Sequence, residues 1–488
     1  MPTRGGFAFG PFQLDTRAKR LLRDGTPVPL PIRQFDLLHV LVSRSGDVLA
    51  KDTLIKAAWD DVSVTDNSLA QAISQLRGTL DESDPHRYIE TAARRGYRFA
   101  ATVARIDVRH ADADLDALLR PHRALIDGRA ALETLGLAEI ASARATFEHL
   151  LVGGDDDPLF HIGLANACVL QFEATRTDVV PDRKALQLAT THAHDACRLD
   201  PDNSEAFATL GVVLERTGDR LNALAALHRA TTLEPGNWRH QLRLAYGSWG
   251  EQRLRAARRT LALFPGCALA HCLAATVYVA RGGLEKAEQE LDAGIAALQG
   301  EARTDGTRPT HEGPPRRFSA VALHWLKGLL CLARGADDEA MEAFGRELTL
   351  EGRGHLYARE CCANTWCAIG AVYLGRDDRP TARAAFEQAT RRVPRHPMAH
   401  AGLAMLAPRR QSDDVPVAPV SADVAMARAA LLVAAGDAPG AAHLVNLALA
   451  SAPAGNAGWL VSIEPLLGVQ RARDAWRDVL ARVRIGAA

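Results

Sequence analysis

The sequence predicts a mainly α-helical chain: a small α+β unit first, then an α-solenoid of paired helices. Three observations carry this. Short strand and helix signals alternate through the first hundred residues, the remainder is Ala- and Leu-rich helical text with a recurring period, and the composition is that of a globular protein. At 488 residues, 47% hydrophobic, 24% charged and 5% aromatic, the chain is too long for one core and too apolar for disorder.

In the first part, "FAFGPFQLD" and "RLLRDGTPVPL" read as short strands, with Asp24-Gly25 supplying hairpin-turn chemistry. "PIRQFDLLHVLVSRSG" follows as a helix with Phe35, Leu38 and Leu41/Val42 on one face, beginning beside Pro31 and stopping at Gly46. "KDTLIKAAWD" is a shorter second helix. The third is "VTDNSLAQAISQLRGTL", with Thr65 or Asp66 as N-cap. Its Leu69, Ile73, Leu76 and Leu80 form one apolar stripe, while Asn67, Ser68, Gln71, Ser74, Gln75 and Arg77 occupy the other side. A solvated helix usually displays Glu and Lys there; amides, hydroxyls and one arginine suit close hydrogen-bond reading, and Gln and Arg match adenine and guanine edges in a DNA major groove. "YIETAARRGYRFAATV" closes the unit as two strands around a turn holding Arg94, Arg95 and Gly96, with Arg98 just beyond.

Strands, three helices with a polar third, then a basic-tipped hairpin make a winged helix-turn-helix order. Together "VTDNSLAQAISQLR", "YIETAARRGYRF", "FDLLHVLV", the isolated Trp59 and the "DG.PVPL" pattern resemble the OmpR/PhoB-type DNA-binding domain across residues 7 to 103. The wording is most similar to the branch without a receiver domain, represented by ToxR-like and HilA-like regulators. The resemblance implies binding to double-stranded DNA as a transcription regulator, more often activating than repressing. It also implies a homo-oligomer or tandem arrangement on repeated half-sites and a loop around Trp59 to Asp66 that touches RNA polymerase. Two departures stand out. The recognition helix has Arg77 as its one basic residue, which shifts phosphate attraction to the wing, and Ala93 stands where the wing commonly carries Pro.

Beyond the linker, placed at 106–114, the useful signal is periodicity. Between Pro201 and Pro235 come Leu210-Gly211, Gly218-Asp219, Ala223, Leu227 and Ala230, the phase of a tetratricopeptide repeat (TPR). The small residues let helices approach, Gly-Asp turns the chain and Pro ends the second helix. Trp366, Gly370, Tyr373, Ala382, Phe386, Ala389 and Pro394 repeat that phase. Weaker copies centre on Gly282/Ala287/Leu291, Gly328/Gly335/Ala340/Phe344 and Gly436/Ala441/Pro453, and "IASARATFEHLL" reads as the second helix of a diverged opening repeat. The expected organisation is a winged helix over 1–105, repeats over 115–298 and 318–406, loops at 299–317 and 407–421, and a last repeat with its cap over 422–488. Carrying the repeat pattern across places Arg239, Tyr246, Trp249, Trp325 and Asn364 on the concave side. Two readings stand for them: a protein or peptide partner site, or packing between repeats.

Charge gives a mild asymmetry within a neutral total, +3 over residues 1–105 and −3 over the rest, which permits a nucleic-acid surface without demanding one. The stretch "MPTRGGFAFGPF" has no apolar h-region and no long uncharged apolar run follows it, so a cytoplasmic protein with no membrane association is expected. The eight cysteines lack paired CxxC spacing, Cys361, Cys362 and Cys367 near His355 included, and read as free packing thiols. His192 and His194, two apart on one helix, point away from each other. No cofactor, metal or catalytic constellation is expected, since GxSxG, Walker A and HExxH patterns are missing. The competing function is a TPR interaction scaffold whose winged domain binds protein rather than DNA; the polar third helix and basic wing favour the regulator.

Overall fold

A computed structural model of the chain describes residues 6–16, 18–59, 66–80, 88–93, 95–106, 113–152, 156–304, 320–407, 421–453 and 455–488. It divides into two compact units, Met1–Ile126 and Asp127–Ala488.

The first unit begins with β1 (Gly6–Phe9), β2 (Phe12–Asp15), β3 (Arg20–Arg23) and β4 (Thr26–Val28). The run from Phe7 to Asp15 is a hairpin rather than one strand, and the second run is the hairpin that Asp24-Gly25 leads one to expect. Gly10 turns the first with φ +52°, and Asp24 and Gly25 turn the second with φ +50° and +80°, the double left-handed turn that matches strand twist. After α1 (Ile32–Ser43), β5 (Val48–Leu49), α2 (Lys51–Ala58) and α3 (Asp66–Thr79) come β6 (Ile89–Ala92), β7 (Gly96–Phe99) and β8 (Ala104–Ile106). The sheets have orders β4-β3-β2-β1-β8 and β5-β7-β6. Ile106, assigned to the linker by the sequence, pairs with Gly6. Between the elements lies one core of Phe9, Phe12, Leu14, Phe35, Leu38, Leu41, Tyr88 and Phe99, into which α3 sends its stripe Leu69, Ile73, Leu76 and Leu80. Of the two N-cap candidates, Thr65 and the side chain of Asp66 both lie outside the described residues.

The second unit is helical. Its helices run from α4 (Ala113–Glu133, which begins in the first unit) through α5 (Leu137–Val152), α6 (Pro158–Thr175), α7 (Arg183–Leu199), α8 (Ser204–Thr217) and α9 (Arg220–Leu233). They continue as α10 (Trp238–Gly247), α11 (Gly250–Leu263), α12 (Ala268–Ala280), α13 (Leu284–Thr304), α14 (Leu323–Arg334) and α15 (Asp337–Leu348). The last are α16 (Ala358–Gly375), α17 (Arg379–Arg392), α18 (Pro397–Leu406), α19 (Ala422–Ala434), α20 (Ala438–Ser451) and α21 (Arg477–Gly486). Residues 305–319 and 408–420, most of the two expected loops, are outside the described set. Pairs such as α8–α9 and α16–α17 pack side by side, and first helices neighbour first helices along the array.

The small residues do what the repeat phase predicts. A Cβ on Gly211 would lie 2.6 Å from Leu227, one on Gly370 2.7 Å from Phe386, and one on Gly328 2.3 Å from Phe344. Each glycine thus seats the large residue of the following helix. Gly128 and Gly163 both crowd Phe147 of α5 in the same way, which makes α5 the second helix of an opening pair. Turn chemistry recurs too: Gly218 is left-handed at φ +89° and the Asp219 side chain accepts from Asn222 N as the next N-cap.

Two features lie outside the repeat logic. The α4–α5 turn reaches the segment before α16, where Leu137 N donates to Gly354 O at 3.1 Å and Leu356 N to Leu135 O at 2.7 Å. The chain after α20 does not form a further pair. It folds back on the first-helix side, with Pro465–Leu467 against α14, α16 and α19 and α21 against α12. Val461, Leu467 and Trp476 are buried in doing so, and Arg281 Nε donates to Ala487 O at 2.7 Å.

Glu464 sits in this returning segment. Burial pushes its carboxyl up to about 7, against the opposing hydrogen bond from Leu466 N. The folded state therefore holds a proton that the unfolded chain releases near the ordinary value of 4.5. Its contribution to stability is full at low pH and declines as pH rises from about 4.5 to about 7. Melting of Glu464→Gln measured across this window should decline less steeply with pH than the parent; parallel profiles contradict the assignment.

Candidate nucleic-acid interface

With its apolar stripe buried, α3 leaves Gln71, Ser74 and Gln75 exposed and Ser68 half-buried. The side chain of Asn67 lies outside the described residues, as does Arg94. Gln75 is not loose: Gln34 Nε2, from the buried side of α1, donates to its Oε1 at 3.0 Å, leaving the amide N–H groups of Gln75 directed by that contact. Gln34 thereby orients the Gln75 amide, a contact that nothing local in the sequence signals across 41 positions.

Arg77 departs from expectation. Instead of standing on the outward face it turns to the wing, with Nε and Nη2 3.1 and 2.6 Å from Ile89 O and Nη2 3.0 Å from Thr91 Oγ1. A strand carbonyl beside the last turn of α3 offers a charge-assisted bond that a solvated position does not. The side chain thereby ties recognition helix to wing. Arg98 is likewise engaged: its guanidinium pairs with Glu90, the residue opposite it in the β6–β7 register. Arg95 stays exposed at the hairpin tip, where its N–H closes the turn on Ala92 O at 2.9 Å.

The tip depends on Gly96. Its φ is +136° and a Cβ there would stand 1.8 Å from Leu49 O, so only glycine lets β7 lie against β5 at this point. Trp59, expected beside a polymerase-touching loop, is buried in the core with the Arg33 guanidinium 6.0 Å from its ring centroid. Residues 60–65 of that loop are outside the described set.

This geometry is a helix presenting a polar, amide-rich face beside a two-stranded wing. Residues 25–99 match the family described as "Transcriptional regulatory protein, C terminal". The N-terminal unit is an OmpR/PhoB-type winged helix-turn-helix. Its winged helix is 38% identical over 93 residues to the transcriptional regulator HilA of Salmonella typhimurium, covering 19% of this chain and 17% of that protein. It is 36% identical over 86 residues to the transcriptional activator CadC of Escherichia coli, covering 17% of each. The chain thus spans 17% of the length of these relatives. Behind the winged helix, the array is similar to a tetratricopeptide repeat protein from Parabacteroides merdae, 13% identical with a TM-score of 0.38 over 59% of this chain and 99% of that one.

The array residues expected on a concave partner site are mostly occupied by the chain itself. Tyr246 and Trp249 do not share a helix: α10 ends at Gly247, Ser248 is extended and buried with its Oγ on Leu244 O, and Trp249 is the residue before α11. Arg253 lies over the Trp249 ring at 4.6 Å. Arg239 pairs with Glu133 at 2.9 Å and lies over Trp238. Trp325 joins the edge of a cluster that includes Ile463, Trp459 and Leu460 of the returning segment. Asn364 Oδ1 meets His396 Nε2 at 2.9 Å.

Tyr246 is the more open of these, with Arg216 5.4 Å from its ring centroid. Behind it lies a buried ionic group. Glu173 holds Arg216 Nε at 2.6 Å through one oxygen and accepts from Tyr357 OH at 3.0 Å through the other. The cysteines are free and, apart from half-buried Cys197, buried. Burial pushes the Cys168 and Cys197 thiols up to about 11, which suits packing rather than thiolate chemistry. Among the described residues no helix is long and apolar enough to cross a membrane.

Proposed function

We propose that this protein is a cytoplasmic, sequence-specific DNA-binding transcriptional regulator that activates its targets, with the TPR-like array receiving a protein or small-molecule signal. The observation that carries the reading is α3: its apolar stripe is buried, and Gln71, Ser74 and Gln75 remain exposed beside a wing locked to the helix by Arg77. That face suits the major groove of double-stranded DNA, and the wing suits phosphates. Activation, contact with RNA polymerase and a homo-oligomer on repeated half-sites are extended to this chain from the winged-helix likeness to HilA and CadC.

Because Arg77 and Arg98 are engaged internally, sequence-independent attraction falls to the wing tip. Arg94 and Arg95 replaced together by alanine should flatten the salt dependence of binding by up to about two units of slope. Gel shifts across a salt series read this directly, and an unchanged slope removes the tip from the interface. The function itself is tested by a genome-wide footprint of the purified protein on DNA from its own source. Discrete protected sites upstream of genes support the regulator; uniform weak protection or none refutes it.

A further inference from the structure

We infer that the packing face between α6 and α7 is a binding site for a divalent first-row transition-metal ion, held by His161 Nδ1, His192 Nδ1 and a carboxylate oxygen of Asp195. The ligand atoms of these three side chains lie within 4.8 Å of one another. The two Nδ1 atoms face each other at 2.9 Å. Nitrogens bound at about 2.1 Å to one ion stand about 3.0 Å apart at a right angle and about 3.4 Å apart at the tetrahedral angle. The pair is therefore set close to what cobalt, nickel or zinc requires.

The surrounding chemistry points the same way. His161 Nε2 lies 2.8 Å from Asp156 Oδ1, so its proton sits on that side and the Nδ1 lone pair is aimed at His192. A carboxylate behind a histidine in this manner fixes the tautomer and raises ligand basicity. His192 and Asp195 are one turn apart on α7 and share a face, whereas His194 is exposed on another. Asp195 also pairs with Arg198 at 3.3 Å, an exposed side chain free to swing away. His161 is buried while His192 and Asp195 are half-buried, so the site meets solvent from the α7 side. Imidazole with one carboxylate suits first-row divalent ions over calcium or magnesium, whose sites are built from oxygen.

Cobalt(II) titrated into tag-free full-length protein tests the site. The expected result is one equivalent bound with visible ligand-field bands, displaced by zinc and accompanied by a rise in melting temperature. His192→Ala should abolish the bands and His194→Ala should keep them. Asp156→Asn, which preserves shape, should weaken binding about 10- to 100-fold. If His192→Ala loses its helical circular dichroism, Asp195→Asn and Asp156→Asn carry the comparison. Absence of bands and of zinc binding in the parent, or equal affinity in the Asp156→Asn and Asp195→Asn variants, overturns the inference and leaves two rings sharing a proton.

Discussion

Gly96→Ala is expected to unfold or severely loosen the winged helix. A methyl group at this position would penetrate the Leu49 carbonyl, its carbon 1.8 Å from Leu49 O, in a residue whose φ of +136° already excludes most L side chains. Relief requires β5 to part from β7, breaking the Val48–Arg98 and Leu49–Tyr97 pairing and exposing Phe99, which is 0% accessible. Strained backbone plus a disrupted core edge should cost about 3 kcal/mol or more. Hydrogen exchange of the peptides spanning residues 6–106 across a urea series measures it, because the chain holds seven tryptophans and bulk fluorescence mixes the winged helix with the array. DNA binding should fall at cognate and random sequences alike, because the wing and the Arg77 strap on Ile89 O move together. A variant that unfolds at the parent's midpoint would show that the β5–β7 contact is not as close as described.

The second large effect is expected in the array. Glu173 is buried, and its two oxygens join α8 and the N-cap residue of α16 to α6 through Arg216 and Tyr357. Burial, and the Glu173 carboxylate among its neighbours, push the Tyr357 phenol well above its usual range, so the tyrosine stays a neutral donor. Glu173→Ala strands the Arg216 guanidinium, whose side chain is 13% exposed. Breaking one side of a buried pair costs about 3 to 5 kcal/mol. Glu215 still pairs with Arg216, which places the loss near the lower end. Thermal melts of Glu173→Ala, Tyr357→Phe and the double variant should reveal coupling between the two sites. Additive effects would mean that the contact contributes nothing to holding α6 against α16.

Much of this molecule is legible from sequence because the governing interactions are local. The stripe Leu69, Ile73, Leu76 and Leu80 reports the buried face of α3, Asp24-Gly25 reports a hairpin, and Gly370 with Phe386 reports a helix pair. What sequence does not reveal is which distant partner claims a polar side chain. Arg77 has the spacing of an outward residue, yet the strand beside it decides its direction. His161 draws no notice in the sequence, because its partner His192 comes from a different helix. Tyr246 and Trp249 illustrate a different failure: the repeat pattern treats them as neighbours on one helix, but α10 stops at Gly247, before Trp249 is reached. The returning segment is hidden for a third reason. Val461, Leu467 and Trp476 have the composition of any repeat core, and only the three-dimensional path puts them on the first-helix side.

The central claim, that the exposed face of α3 reads DNA, rests most directly on Gln71, which lies exposed opposite buried Leu69 and Ile73. Gel shifts of the parent and Gln71→Ala on a footprinted site and on its scrambled counterpart, at one fixed salt concentration, test it. The account predicts a loss of about 1 to 3 kcal/mol at the cognate site with unchanged affinity for scrambled DNA, so that specificity falls while phosphate attraction persists. Equal binding of both DNAs by parent and variant would contradict it and remove α3 from the groove.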